Sequence, residues 1–356
     1  MAKIVWQGRL SHKARSTWVL LKTSADVLWR RARGKPLVPA WSASFEIGTL
    51  FYRQQFNHAF ALESMEEARA YFDSLYTVLR DKFEIEVCPS GADEPRGHWF
   101  LPHGQPAGDG TPTLLYLHGG GYAFYASVSR HFMSMLAQAL QMPLFAPDYR
   151  LTPEYPHPAQ LEDAVTAYRY LLSKGIPPSR IVICGDSAGG HLGLMTIAKL
   201  RDAGLPQPAL GIGLSPWTDT GLRGASQFGN DVYDLVQGYQ TVKFSEWLKA
   251  GTAFSDREIS PIYQDYRGAA PIYLQAGGKE ILVDMIRDFA RELRQQGAAV
   301  VLDVWPHMTH EFHAYGDDLP ESKEAIERLK AAIAWSQGHA NSSLEPIAVT
   351  ELALDN

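Results

Sequence analysis

From about residue 113 onward, short apolar runs alternate with amphipathic helical stretches. The series runs TLLYL, a helix around 126–141, PLFAPDY, a helix around 159–173, RIVIC, and a helix from about 188 to 203. ALGIGLS, PIYLQA and VVLDVW continue it, the last two separated by DMIRDFARELRQQG, which ends on a glycine stop. Strands that are apolar on both faces need cover on both faces, and strands joined through helices run parallel. The pattern predicts an α/β fold with a mostly parallel central sheet flanked by helices. FEIEVC and HWFLP predict two strands ahead of it, and GQPAGDGTPT a turn-rich connector.

Two stretches fall outside this rhythm. The N-terminal region reads as helices with aromatic content: Trp18, Leu21, Val27 and Trp29 in one segment, SMEEARAYFDSLYTVLRDKF in another. Their aromatics are expected to pack as a cap or lid, a membrane-surface face being the alternative. About fifty residues between ALGIGLS and PIYLQA are rich in aromatics, too long for a connection and suited to a lid. The expected organisation is a helical cap segment over 1–80, a catalytic domain over 81–216 and 266–338, a cap insertion over 217–265, and a tail over 339–356.

Composition narrows the classes. With 46% hydrophobic and 20% charged residues, 356 residues can build a sizeable core. A net charge of −6 gives no electrostatic reason to expect nucleic acid, and the basic run WRRARGK reads as a solvated helix end. The two cysteines, Cys88 and Cys184, form neither a disulfide framework nor a metal pattern. No signal-peptide layout opens the chain and no apolar stretch is long enough to span a bilayer, so a reducing, cytoplasmic setting is expected.

RIVICGDSAGGHLG carries the first chemistry. Ser187 lies in Gly185-Asp186-Ser187-Ala188-Gly189, directly after a strand and directly before a helix. A nucleophile on so sharp a turn needs small neighbours, and the helix N-terminus favours negative charge beside it. Leu117-His118-Gly119-Gly120-Gly121-Tyr122 closes the strand TLLYL, and three successive glycines cost backbone entropy that some close approach must justify. The N–H groups of Gly119 and Gly120, with that of Ala188, are expected to form an oxyanion hole. A serine needs a base and the base an orienting acid. After the last strand stand His307, His310 and His313, of which His310, midway in the loop, is best placed to reach across the sheet edge.

These residues resemble the hormone-sensitive lipase family, the bacterial family IV carboxylesterases on the α/β-hydrolase fold. The resemblance rests on HGGGY, DYRLTPEYPHPAQLEDAVTAYRYL, GDSAGG and SPWTD and covers roughly residues 80–335. It implies Ser187 as nucleophile, His310 as base, and Glu280 as acid where relatives commonly carry Asp. Asp284, a helical turn later at a helix start, and Asp219 remain alternatives for the acid. It also implies a serine carboxylesterase for short- to medium-chain esters, needing no metal or organic cofactor. An amidase, deacetylase or lactonase, or a non-catalytic hydrolase-fold receptor, would be the other uses of such a scaffold. Tyr122, Phe124, Tyr125 and Trp217 are expected pocket walls. The expected partner is a small-molecule ester, without nucleic acid or stable membrane insertion and with a possible homodimer.

Overall fold

The computed structural model describes residues 8–74, 83–102, 112–251 and 253–336. The connector around 104–111, the last part of the helical stretch 64–83 and the tail over 339–356 lie outside the described residues.

Eight strands form one sheet in the order β1-β2-β4-β3-β5-β6-β7-β8. They are β1 (Ile85–Pro89), β2 (Gly97–Pro102), β3 (Thr113–Leu117), β4 (Leu144–Pro147), β5 (Ile181–Asp186), β6 (Leu210–Leu214), β7 (Ile272–Gly277) and β8 (Val300–Trp305). Only β2 runs against the rest; from β4 to β8 every pairing is parallel. Residues of β3, β4, β6 and β7 are buried throughout, as strands covered on both faces must be.

Helices α4 (Ser127–Leu140), α5 (Ala159–Ser173), α6 (Ser187–Asp202) and α10 (Val283–Gln295) connect the parallel strands, and a C-terminal helix, α11 (Pro320–Ser336), follows. Leu115, Leu117, Ile183 and Leu274 face one apolar layer, while Leu114, Tyr116, Val182 and Tyr273 face the other. Because β4 lies on one side of β3 and β5 on the other, the chain reverses its direction of travel across the sheet there. Such a switch opens a crevice at the carboxyl ends of the strands. The glycine turn leaves β3 at this point and Ser187 leaves β5.

Three helices precede the sheet: α1 (Leu10–Ala32), α2 (Ala43–Phe60) and α3 (Met65–Asp73). The side chains of Ser42 and Ser64 cap α2 and α3 by accepting from Phe45 N–H and Glu67 N–H. The insertion supplies α7 (Ser226–Gly229), α8 (Gly238–Leu248) and α9 (Asp256–Ile259). Val38, Trp41 and Phe45 pack with Met308 and Phe312, and Trp41 Nε1 donates to the carbonyl of His307. The N-terminal segment is thereby fastened to the loop after β8.

One packing expectation is corrected. Of Trp18, Leu21, Val27 and Trp29, only Val27 is buried. Helix α1 turns His12, Ser16 and Val27 inward and leaves the other three in solvent, because they lie on its opposite face.

Candidate active site

Ser187 sits at φ 51°, in the left-handed region, at the tip of the turn between β5 and α6. Such backbone costs about 1–3 kcal/mol and persists only where its surroundings enforce it. The enforcement is close packing: a Cβ on Gly189 would lie 1.9 Å from the carbonyl oxygen of Leu117. Only glycine lets the start of α6 pass that close to β3. The elbow is held from the other side by Trp217, whose N–H donates to the Ser187 carbonyl at 3.0 Å.

The glycine turn after β3 wraps the same point. Gly120 has φ 102°, and a Cβ there would meet the Phe124 carbonyl at 2.2 Å. His118 is buried between the rings of Tyr125 and Tyr149, stacked at 4.0 and 4.2 Å. Burial lowers its pKa to about 4, so it serves as a neutral spacer.

The structure corrects the oxyanion assignment in one place. The N–H of Gly119 donates to Asp186 Oδ1 at 2.9 Å, and Tyr116 donates to the same oxygen. That amide is occupied. Gly119, Gly120 and Gly121 all line the cavity beside Ser187, so it is the occupied amide that sets Gly119 apart. The N–H of Ala188 is one of the first-turn amides of α6, which have no partner within the helix.

His310 and Glu280 are buried at the ends of β8 and β7. Glu280 Oε2 accepts from Ser215 Oγ at 2.6 Å and from Gly277 N–H at 2.8 Å. Its other oxygen, Oε1, stands 4.0 Å from His310 Nδ1, and neither atom has a hydrogen-bond partner among the described residues. The separation exceeds a hydrogen bond, but two buried polar atoms facing each other unpaired need only a small rotation to join. In unliganded sites such contacts are commonly loose and tighten with substrate.

The other two carboxylates are engaged elsewhere. Asp284, in the first turn of α10, accepts from Ser226 N–H at 2.9 Å and lies 3.7 Å from Arg287. Asp219 accepts from Arg223 at 2.6 Å and from Gly221 N–H at 2.8 Å.

Three further residues meet at the site. Asp234, fully buried, comes from the insertion; its Oδ1 accepts from His310 N–H at 2.9 Å and its Oδ2 from Ile281 N–H at 2.7 Å. One carboxylate thus ties the His310 loop to the Glu280 loop. Ser215, at φ 47°, does the same from β6: it donates to Glu280 and accepts from Glu311 N–H at 3.3 Å. Glu311 itself, at φ 51°, reaches into the cavity with Oε1 3.6 Å from His310 Nε2. No local motif announces the roles of Asp234 and Ser215, although SPWTD, which the resemblance rested on, opens at Ser215; Glu311 stands directly after His310, where relatives often carry Gly.

Charge follows this geometry. Burial pushes the His310 pKa down, but Glu280, Glu311 and Asp234 outweigh it and raise it from 6.5 to about 9. Burial raises Asp234 to about 7, and raises Glu311 well above the carboxylate range, with Asp186 adding to the shift.

Ser187, His310, Gly120, Gly121 and Glu311 line one cavity of about 260 Å³. Phe124 and Trp217 also line it. Tyr122 and Tyr125 do not, and those two expectations are corrected. Tyr122, at φ 65°, turns into the core, where its hydroxyl shares a 2.6 Å hydrogen bond with His191 Nδ1. Tyr125 is taken up by the stack on His118. Residues outside the sheet and its connecting helices complete the wall: Tyr52 and Phe56 from α2, Phe72 from α3, and Leu235 and Phe244 from the stretch between β6 and β7. Among the described residues no cluster of His, Cys, Asp and Glu could hold a metal ion, and no helix is long and apolar enough to cross a membrane.

A serine elbow after β5, a glycine turn after β3, and a histidine and a carboxylate after the last two strands define an α/β hydrolase. Residues 114–314 match the α/β-hydrolase fold family. An acetyl-hydrolase of Streptomyces hygroscopicus is 38% identical over 68% of this chain and 82% of its own length. An ethyl acetate hydrolase of Pseudomonas putida is 31% identical over 77% of this chain and 90% of its own. The crystal structure of an esterase from the bacterial hormone-sensitive lipase family superposes with a TM-score of 0.72 at 32% identity, over 80% of this chain and 96% of that one. The chain belongs to the hormone-sensitive lipase family of α/β hydrolases, and its enzyme class is that of the carboxylic ester hydrolases.

Proposed function

We propose that the protein is a serine carboxylesterase for short- to medium-chain esters, with Ser187, His310 and Glu280 as its triad. The observation that carries the reading is the buried, mutually facing pair of Glu280 Oε1 and His310 Nδ1, beside a cavity that Ser187 also lines. His310 takes the Ser187 proton as the hydroxyl attacks the ester carbonyl, and Glu280 steadies the imidazolium. The tetrahedral oxyanion meets the N–H groups of Gly120, Gly121 and Ala188. Donors of this kind are each worth roughly 10²–10³ in kcat. The imidazolium then protonates the departing alcohol, and water, activated by the same His310, releases the acid.

The aromatic wall of Phe56, Phe72, Phe124 and Phe244 suits an apolar acyl or alkyl group of modest length. The similarity to an acetyl-hydrolase and an ethyl acetate hydrolase points the same way. A series of p-nitrophenyl esters from acetate to octanoate tests this, with turnover expected to peak among the short chains. Zero hydrolysis across the series by folded protein would remove the esterase reading. Matched amide and lactone substrates run in parallel are expected to turn over more slowly.

A further inference from the structure

The outer face of α1 has no place in the catalytic account. Leu10, Trp18, Leu21, Leu28 and Trp29 are 82%, 66%, 61%, 55% and 55% exposed. With exposed Ala14 and Ala25 between them, positions 10, 14, 18, 21, 25 and 28 follow one another in steps of three or four and form one stripe, which Trp29 borders. The stripe runs along a helix of 23 residues, about 35 Å. A continuous apolar face of that length on a protein surface calls for an occupant.

The helix cannot turn this face inward, because its other side is already fastened. The His12 ring packs edge-on against Tyr71, and Arg30 and Arg31 each bond Glu46 of α2 at 2.8 Å.

The charge around the stripe selects the occupant. Residues 9–35 contain eight Lys and Arg and one acidic residue, a charge of +7 in a chain whose total is −6, and six of these cations remain once Arg30 and Arg31 are given to Glu46. Arg9, Arg15, Lys22, Arg33 and Lys35 are exposed, Lys13 is half-buried, and Arg33 lies over the Trp29 ring at 3.8 Å. Lys22, Arg15 and Arg33 border the stripe on one side and Lys13 on the other. A second copy docked through this face would bring two such cationic helices together, which like-charge repulsion opposes. An anionic lipid surface satisfies both features: apolar side chains enter the acyl boundary while the basic border meets the headgroups. Trp18 on the stripe and Trp29 at its border suit that boundary, where an amphipathic ring is at home.

We propose that α1 docks the protein peripherally on anionic lipid surfaces, lying in the interface plane without crossing it. The inference stands on α1 alone and does not depend on the triad assignment.

Co-sedimentation of the full chain with vesicles tests it. Binding is expected to phosphatidylcholine mixed with phosphatidylglycerol and not to phosphatidylcholine alone. It should weaken as salt rises from about 0.1 to about 1 M, where the Debye length shrinks from about 10 to about 3 Å. The Trp18→Ser/Leu21→Ser/Leu28→Ser variant should bind at least about tenfold more weakly. Lys13→Glu/Lys22→Glu, which leaves the apolar stripe whole, should lose about as much. Both should hydrolyse a water-soluble p-nitrophenyl ester like the parent, which shows that they fold. Equal binding to neutral and anionic vesicles, no binding to either, or variants that bind like the parent would overturn the proposal. So would a stable dimer in solution that Trp18→Ser dissociates, since the face would then belong to a second copy.

Discussion

The loop that leaves β5 and the loop that leaves β7 both deliver a residue to the site, by opposite means. Ser187 is placed by its immediate neighbours: a glycine two residues on lets α6 pass against Leu117, and the elbow follows from local sterics. Glu280 is placed by distant ones. Asp234 from the insertion holds the amide after it, Ser215 from β6 holds one of its oxygens, and both reach across to the histidine loop. The elbow that carries the proposed nucleophile is marked by six consecutive residues, whereas the proposed acid and base are brought together only by tertiary structure. Two neighbouring carboxylates also differ: Glu280, in the loop after β7, faces the imidazole, and Asp284, in the first turn of α10, holds Ser226.

That comparison can be broken in order of effect. Ser187→Ala is expected to lower kcat by four orders of magnitude or more, about the loss seen when a triad serine is removed, while the thermal transition stays in place. Residual hydrolysis near the parent rate would reject the nucleophile. Next, Glu280→Ala should lose roughly 10³–10⁴ in kcat, and Asp284→Ala less than about threefold. Its cost should appear instead as about 0.3–1 kcal/mol of stability from the start of α10. The reverse ranking, read from steady-state kinetics on one activated ester, would transfer the acid role to Asp284.

The smallest effect sharpens the clamp. As the proposed base His310 works only when neutral, so activity should fall as pH drops through its raised pKa, about 9 against an ordinary 6.5. Asp234→Asn removes a negative charge beside that imidazole and so lowers its pKa. The acid limb of the kcat/KM profile, which reports the free enzyme, should move to lower pH, with kcat down by about tenfold to a hundredfold from the loosened loops and KM nearly unchanged. A lower kcat with the limb unmoved would leave Asp234 a merely structural residue.

The parts legible in the sequence are those governed by short-range rules. Continuous apolar strands gave the parallel sheet and its helices, and glycines flanking Ser187 and following His118 marked two turns that only glycine permits. Asp234 and Ser215 escaped because each acts on residues far along the chain. Tyr122 and Tyr125 were misread for a related reason: the positive φ at Tyr122 turns the chain into the core just after the glycine turn. Gly119 was misread because its amide is taken by Asp186, a partner from another strand. On α1, side chains that read as cap packing proved exposed, since periodicity reveals a face but not what covers it.

The central claim is that Ser187 is an activated nucleophile facing this cavity. Its most direct test is the intact mass of the protein after exposure to a small organophosphate, followed by peptide mapping. The account predicts one adduct per chain, on Ser187, with esterase activity lost in proportion and no adduct in Ser187→Ala. An adduct on another residue, or an unlabelled protein that keeps hydrolysing esters, would contradict it.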